Sequence, residues 1–189
     1  MSKIILFLLL MWSAAHAGAA THPGNTFQAG PGFPESSITT FIFIHCAETT
    51  GNDEKLSATG HEQAGALTAF LSDMEVAAVY APFKNCLVET VQPLASAQRR
   101  KVEYFRDATT EAPDAMKHIL DVMMEKHKGK TIVICAPAAS IKVMAGMLGI
   151  KEKALKTGRG TFNEVLLVNV WWFGEAVAQK LNMNFQKKV

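Results

Sequence analysis

Thr40-Phe41-Ile42-Phe43-Ile44-His45-Cys46-Ala47-Glu48-Thr49 is the stretch on which the fold turns. β-Branched and aromatic residues run without interruption to Ile44, and then polar, reactive side chains take over. A strand that is apolar on both faces belongs inside a parallel sheet, covered on each side. In open α/β sheets ligands bind just beyond the carboxyl ends of such strands, where loops converge. His45, Cys46 and Glu48 occupy that place.

Downstream of this strand the pattern alternates between helix and strand. Residues 50–53 read as a loop, and Ser57 as the N-cap of a helix with Ala64, Leu67, Phe70 and Leu71 at its apolar positions. Residues 76–81 form a second buried strand stopped by Pro82. A helix over 84–98 contains Pro93, which predicts a kink or break there. Residues 102–105 suit a short strand. An amphipathic helix over 112–127 takes Pro113 in its first turn and turns Ile119, Val122 and Met123 toward the sheet.

Residues 130–135 are a third buried strand, and the helix over 139–148 ends at a C′ glycine, Gly149. A basic loop over 151–160 precedes an antiparallel pair, 164–172 and 175–181, joined around Phe173-Gly174. The sum is an α/β three-layer sandwich: a mostly parallel central sheet, helices on both faces and an antiparallel C-terminal strand pair.

Upstream, residues 1–17 have the pattern of a signal peptide. Lys3 gives the positive start, residues 4–12 the apolar middle, and Ala15-His16-Ala17 the small-x-small cleavage site. The apolar run falls short of the roughly 20 residues a membrane-spanning helix needs. Residues 18–37, rich in Gly, Pro, Ser and Thr, read as a flexible leader, and residues 38–189 as the domain. The expectation is an exported, periplasmic protein with no membrane attachment after cleavage. The formal charge of +2, or +1 once Lys3 is removed, argues against a nucleic-acid partner.

Export bears on the three cysteines, Cys46, Cys86 and Cys135. None forms a C-x-x-C pair, so neither a zinc ribbon nor a redox motif is signalled. An odd number in an oxidising compartment leaves at least one thiol free, metal-bound or paired between chains.

Three further blocks bear on function. His45-Cys46-Ala47-Glu48 ends the first strand, and Leu56-Ser57, Gly60 and Gln63-Ala64 open the first helix. Tyr80-Ala81-Pro82-Phe83, Cys86 and Thr90, then Gln92-Pro93-Leu94, form the second block. Cys135-Ala136-Pro137-Ala138, Ile141 and Leu148-Gly149 form the third. In this order, over roughly residues 39–181, the chain resembles the histidine phosphatase superfamily, the phosphoglycerate-mutase-like fold, and most of all its short exported members.

The resemblance implies a phosphomonoesterase or phosphohistidine phosphatase scaffold. It also implies that the family's nucleophilic histidine is Cys46 here, its neighbouring arginine His45, its second arginine Cys86 and its second histidine Pro137. Proline offers no side-chain donor and lacks the backbone N–H. The leading expectation is therefore a pseudophosphatase, without a cofactor, that binds a small anionic ligand or a protein partner.

Two alternatives stay open. One is a residual phosphomonoester hydrolase using Cys46 or His45. The other follows from the resemblance, which brings Cys46 and Cys86 to one pocket with Cys135 nearby. With His45 these form a metal or thiol-redox cluster suited to Zn²⁺ or Cu(I), or else a Cys46–Cys86 disulfide, or plain packing. Glu48 reads as a cap carboxylate or a general acid. Asp107 and Glu111 stand where relatives place a catalytic carboxylate, though loop solvation suits them better. His61, His118 and His127 lack ligand spacing. Trp171 and Trp172 point to opposite faces of their strand. Arg99-Arg100-Lys101, and Lys151 with Lys153, Lys156 and Arg159, read as solvated loops.

Overall fold

The structure is a computed structural model that describes residues 38–51, 55–155, 162–171 and 175–185. The signal and leader assigned to residues 1–37 lie outside the described residues. So do Lys156, Arg159 and the turn at residues 172–174.

The chain runs β1 (Ile38–Ile44), α1 (Ala58–Phe70), β2 (Val76–Pro82), α2 (Asn85–Ala97), β3 (Val102–Phe105) and α3 (Pro113–Lys126). It continues as β4 (Thr131–Cys135), α4 (Ala138–Met147), a short 3-10 helix (Glu152–Leu155), β5 (Glu164–Trp171) and β6 (Glu175–Asn182). The strands form one sheet in the order β3-β2-β4-β1-β5-β6. β1, β2, β3 and β4 pair in parallel, while β5 runs antiparallel to both β1 and β6. This is the expected α/β architecture with its antiparallel C-terminal pair.

Strand periodicity builds two separate cores. Successive side chains point to opposite faces of the sheet. Phe41 and Phe43 therefore pack with Ile132, Ile134, Leu166 and Val168 under α3 and α4. Ile42 and Ile44 pack with Val79, Ala81, Val133 and Cys135 under α1 and α2. Phe41, Ile42, Phe43 and Ile44 are at most 1% exposed, and burying each such side chain is worth about 1.5–3 kcal/mol. Replacing any of them with a polar residue would open one of the cores.

Local signals place several boundaries. Ser57 caps α1, its hydroxyl accepting from Gly60 N. Pro113 starts α3, and Gly149, at φ 97°, follows the end of α4 in a conformation that only glycine adopts freely. α2 runs on through Pro93 to Ala97 and is not broken there. Pro93 sits on the exposed side of the helix, where water can satisfy the carbonyl it leaves unpaired.

Other expectations need correction. Phe70 is 39% and Val122 47% exposed. The buried stripe of α3 is Met116, Leu120 and Met123, and it ends on His127 just past the helix. Ile119 is only partly buried against the same core. His127 is buried because it meets Tyr80 from β2, with the phenol oxygen 2.9 Å from Nε2. Burial, followed by the nearby Lys126 charge, pushes the pKa of His127 down, so the ring is neutral at pH 7. Arg99, Arg100 and Lys101 are exposed, as expected, and Arg100 also reaches the sheet. Its Nε donates to the Val76 carbonyl at the start of β2.

Candidate functional site

Beyond the carboxyl ends of β1, β2 and β4 lies an open cleft of about 320 Å³, lined by Cys46, Ala47, Glu48, Thr49, Lys84, Cys86, Leu87 and Pro137. Three chain segments supply it: the β1–α1 loop, the β2–α2 turn with the start of α2, and the residue ahead of α4. Each begins where an apolar strand runs out. The parallel pairing of β1 and β2 with β4 sets these ends side by side.

The β1–α1 loop is held from behind. Ala47 N donates to Thr90 Oγ1 at 3.0 Å, and the same hydroxyl donates to Cys86 O at 2.7 Å. Glu48 N donates to Gln63 Oε1 at 2.7 Å. The Glu48 carboxylate accepts from the Ser57 hydroxyl, and its carbonyl accepts from Ser57 N. Leu56 N donates to Glu89 Oε2. Gly60 lets the helix approach this loop: a Cβ on it would stand 2.0 Å from Glu48 O. Glu48 is thus engaged by the first turn of α1, which fits the cap carboxylate better than the general acid.

The electrostatics of the cleft favour neutral groups. Burial, followed by the adjacent Cys86 thiol, pushes the Cys46 pKa up to about 12, against weaker opposing effects of Thr90 and Lys84. The sulfur is therefore held as the protonated thiol at pH 7, whereas the thiolate is the nucleophile. Lys84 is the one cationic side chain among the described residues that line the cleft. Pro137 occupies the N-cap position of α4 and makes no side-chain cap bond.

No protein-family model matches the chain, and no curated protein matches it in sequence. Solved structures do match in fold. Phosphoserine phosphatase from Entamoeba histolytica in complex with 3-phosphoglyceric acid superposes with a TM-score of 0.59 at 15% identity, over 76% of this chain and 96% of that one. Mycobacterial glucosyl-3-phosphoglycerate phosphatase gives 0.61 at 11% identity, over 77% and 99%. Phosphoglycerate mutase from Bacillus anthracis gives 0.62 at 13% identity, over 79% and 96%.

The chain has the histidine phosphatase fold.

Within that fold, Cys46, Glu48, Cys86 and Pro137 meet at the cleft, whereas His45 and Cys135 are not among its lining residues. Strand alternation explains the first, and depth of burial on the same side as Cys46 and Cys86 explains the second. Cys46 packs with Ile44 on the α1/α2 side, so His45 faces the other way. There burial pushes its pKa down, partly opposed by the Glu164 carboxylate. Cys135 is the last residue of β4, fully buried beneath the cleft, and burial holds its thiol protonated.

Of the candidate metal set, Cys46, Cys86 and Cys135 pack on the α1/α2 side of the sheet and His45 faces the other way. Among the described residues no three His, Cys, Asp or Glu side chains are grouped to hold a metal ion. All three cysteines are free thiols.

The remaining candidates fall elsewhere. Asp107 is not simply solvated: it accepts from Thr109 N, from Thr109 Oγ1 and from Ser140 Oγ, tying the β3–α3 loop to the first turn of α4. Glu111 pairs with Arg106 in the open. His61 and His118 are exposed on their helices. Phe83, 83% exposed, meets Tyr104 edge-on beside the cleft. Lys84 went unmarked in the sequence as a lining residue. Its signal is its place in the turn after a buried parallel strand.

Proposed function

We propose that this protein uses the histidine phosphatase fold without phosphomonoester turnover, as a module that binds a small anionic ligand or a protein partner. The lining of the cleft is the observation that carries the reading: two thiols and a proline at the positions the resemblance marks, and a single ammonium beside a carboxylate, Glu48, that is engaged by Ser57. Phosphoryl transfer depends on positioning and on charge stabilisation around three phosphoryl oxygens. Guanidinium and imidazolium groups supply that stabilisation through charge-assisted hydrogen bonds. The resemblance assigns such groups to the positions of His45, Cys46, Cys86 and Pro137.

Losing one preorganised donor costs about 100- to 1000-fold in rate, and several losses compound. The arginines offer no substitute from the described residues. Arg100 reaches the opposite end of β2, and Arg106 is paired with Glu111. Lys84 retains enough charge to attract an anion weakly. The reading also takes the protein to be exported, on the strength of Lys3, the apolar run at 4–12 and Ala15-His16-Ala17. Among the described residues no helix is long and apolar enough to cross a membrane.

The test is turnover of a generic aryl phosphate by the purified chain, with Cys46→Ala alongside. The expected result is the same background rate for both. Turnover in the parent chain that disappears in Cys46→Ala contradicts the reading and restores a catalyst.

A further inference from the structure

Two of the three sulfurs meet in the open part of the molecule. Cys46 and Cys86 both line the cleft, and the Thr90 hydroxyl lies 3.9 Å from Cys46 Sγ and 2.7 Å from Cys86 O. Cys46 is half-buried, Cys86 almost fully so, and Cys135 lies behind them at the end of β4, out of reach of the cleft.

The backbones that carry the pair are fastened to one another. Thr90 Oγ1 accepts from Ala47 N at 3.0 Å and donates to Cys86 O at 2.7 Å, and it lies 3.9 Å from Cys46 Sγ. A single hydroxyl thus couples the residue after Cys46 to Cys86 itself. A disulfide forms without strain only where two Cβ groups already stand close and aligned. A clamped loop and a fixed helix turn satisfy that need better than two mobile segments. His45 and Glu48, also near the end of β1, have other engagements and do not compete for either sulfur.

We propose that Cys46 and Cys86 are a thiol–disulfide pair, oxidised by a low-molecular-weight or protein disulfide, with Cys135 a structural spectator. The more exposed Cys46 attacks the oxidant's S–S bond, which breaks. Cys46 becomes a mixed disulfide, and the first thiol leaves with the proton. The Cys86 sulfur then attacks Cys46 in that mixed disulfide, forms the Cys46–Cys86 bond and expels the second thiol with its proton. The protein loses two protons and two electrons, and the oxidant's two sulfurs take them up as two thiols. Because thiolate is scarce at Cys46, the first step is slow at pH 7 and accelerates as the pH rises.

The full chain, reduced and then incubated with oxidised glutathione at pH 8, is quenched in acid, alkylated under denaturing conditions and mapped by mass spectrometry. The expected result is a Cys46–Cys86 linked peptide with alkyl label only on Cys135, so that titratable thiols fall from three to one. Dithiothreitol restores all three. In Cys86→Ser the expected product is a lasting glutathione adduct on Cys46, since the resolving sulfur is gone. Three alkylated cysteines after incubation, a lasting glutathione adduct on Cys46 of the parent chain, or a link through Cys135 would each overturn the proposal. Mapping of the parent chain decides the matter even where a variant fails to fold.

Discussion

Behind the β1–α1 loop, Ala47, Glu48 and Leu56 each donate a backbone N–H to a side chain of the packed helices: Thr90, Gln63 and Glu89. In front of the same loop the cleft presents two thiols, a proline, one carboxylate and one ammonium. The back is a set of specific polar contacts, each satisfying a group that would otherwise be stranded as the chain leaves β1. The front has no comparable set of charged donors. Leu56-Ser57, Gly60, Gln63-Ala64 and Thr90, which match the motif of the resemblance, stand behind the loop, while three of the departures from it, Cys46, Cys86 and Pro137, line the cleft in front. Holding a loop in place and stabilising charge on a substrate are therefore separable demands on this chain, met by different side chains.

Breaking the back should cost most. Gly60→Ala would put a methyl 2.0 Å from Glu48 O and 3.1 Å from the Leu56 Cβ. Both neighbours belong to the loop, so it must move. The expected loss is about 3 kcal/mol in urea unfolding, at the upper end for overpacking. A wild-type midpoint would mean that the helix does not press on the loop.

Thr90→Val keeps the shape of a fully buried residue but strands the N–H of Ala47. It should cost about 1–3 kcal/mol, with Thr90→Ser recovering most of the loss. Equal losses in the two variants would point to the methyl group rather than the hydroxyl.

A smaller effect separates the cleft from the opposite face of the sheet. His45 and His127 both have pKa values held below the ordinary 6.5, in each case chiefly by burial. Below that ordinary value the unfolded chain binds more protons than the folded one. Their contribution to stability is therefore complete above pH 6.5 and is lost as the pH falls through the folded values. Unfolding between pH 7.5 and 5 should show this decline. In proton NMR the His45 ring should titrate below 6.5, and lower still in Glu164→Gln, which removes the carboxylate that raises it. A His45 pKa above 6.5 would show the ring to be charged and available as a donor to an anion.

Local signals were the legible ones. An uninterrupted apolar run gave β1, a hydroxyl ahead of a helix gave the Ser57 cap, and Pro113 and Gly149 marked helix ends through their own backbone preferences. What stayed illegible depends on partners far along the chain. The inward side of α3 is the stripe Met116, Leu120 and Met123, continued past the helix by His127 against Tyr80, 47 positions away, and Val122 faces outward although it is as apolar as its neighbours. Pro93 carries the usual signal for a break, but whether the helix tolerates it depends on which side faces water.

At the site, the grouping of Cys46 with Cys86 followed from the resemblance. The separation of His45 from that pair follows from strand alternation, which the order of residues already contained, whereas Cys135 shares their side of the sheet and is kept from the cleft only by its burial. The place of Lys84 at the cleft was signalled only by its position in the turn after β2; nothing in a single lysine shows what its side chain will reach.

The central claim is that the sulfur at the front of a well-held loop is kept as an unactivated thiol. The pH dependence of Cys46 alkylation, followed by peptide mapping with Cys86 replaced by serine and again in the parent chain, tests it most directly. In the parent chain the rate should rise about tenfold per pH unit from pH 7 and still be climbing at pH 10, as a pKa pushed up to about 12 requires. In Cys86→Ser the curve should shift to lower pH, because that variant removes the neighbouring thiol. A parent-chain rate that levels off near pH 7 would reveal a standing thiolate and contradict the account.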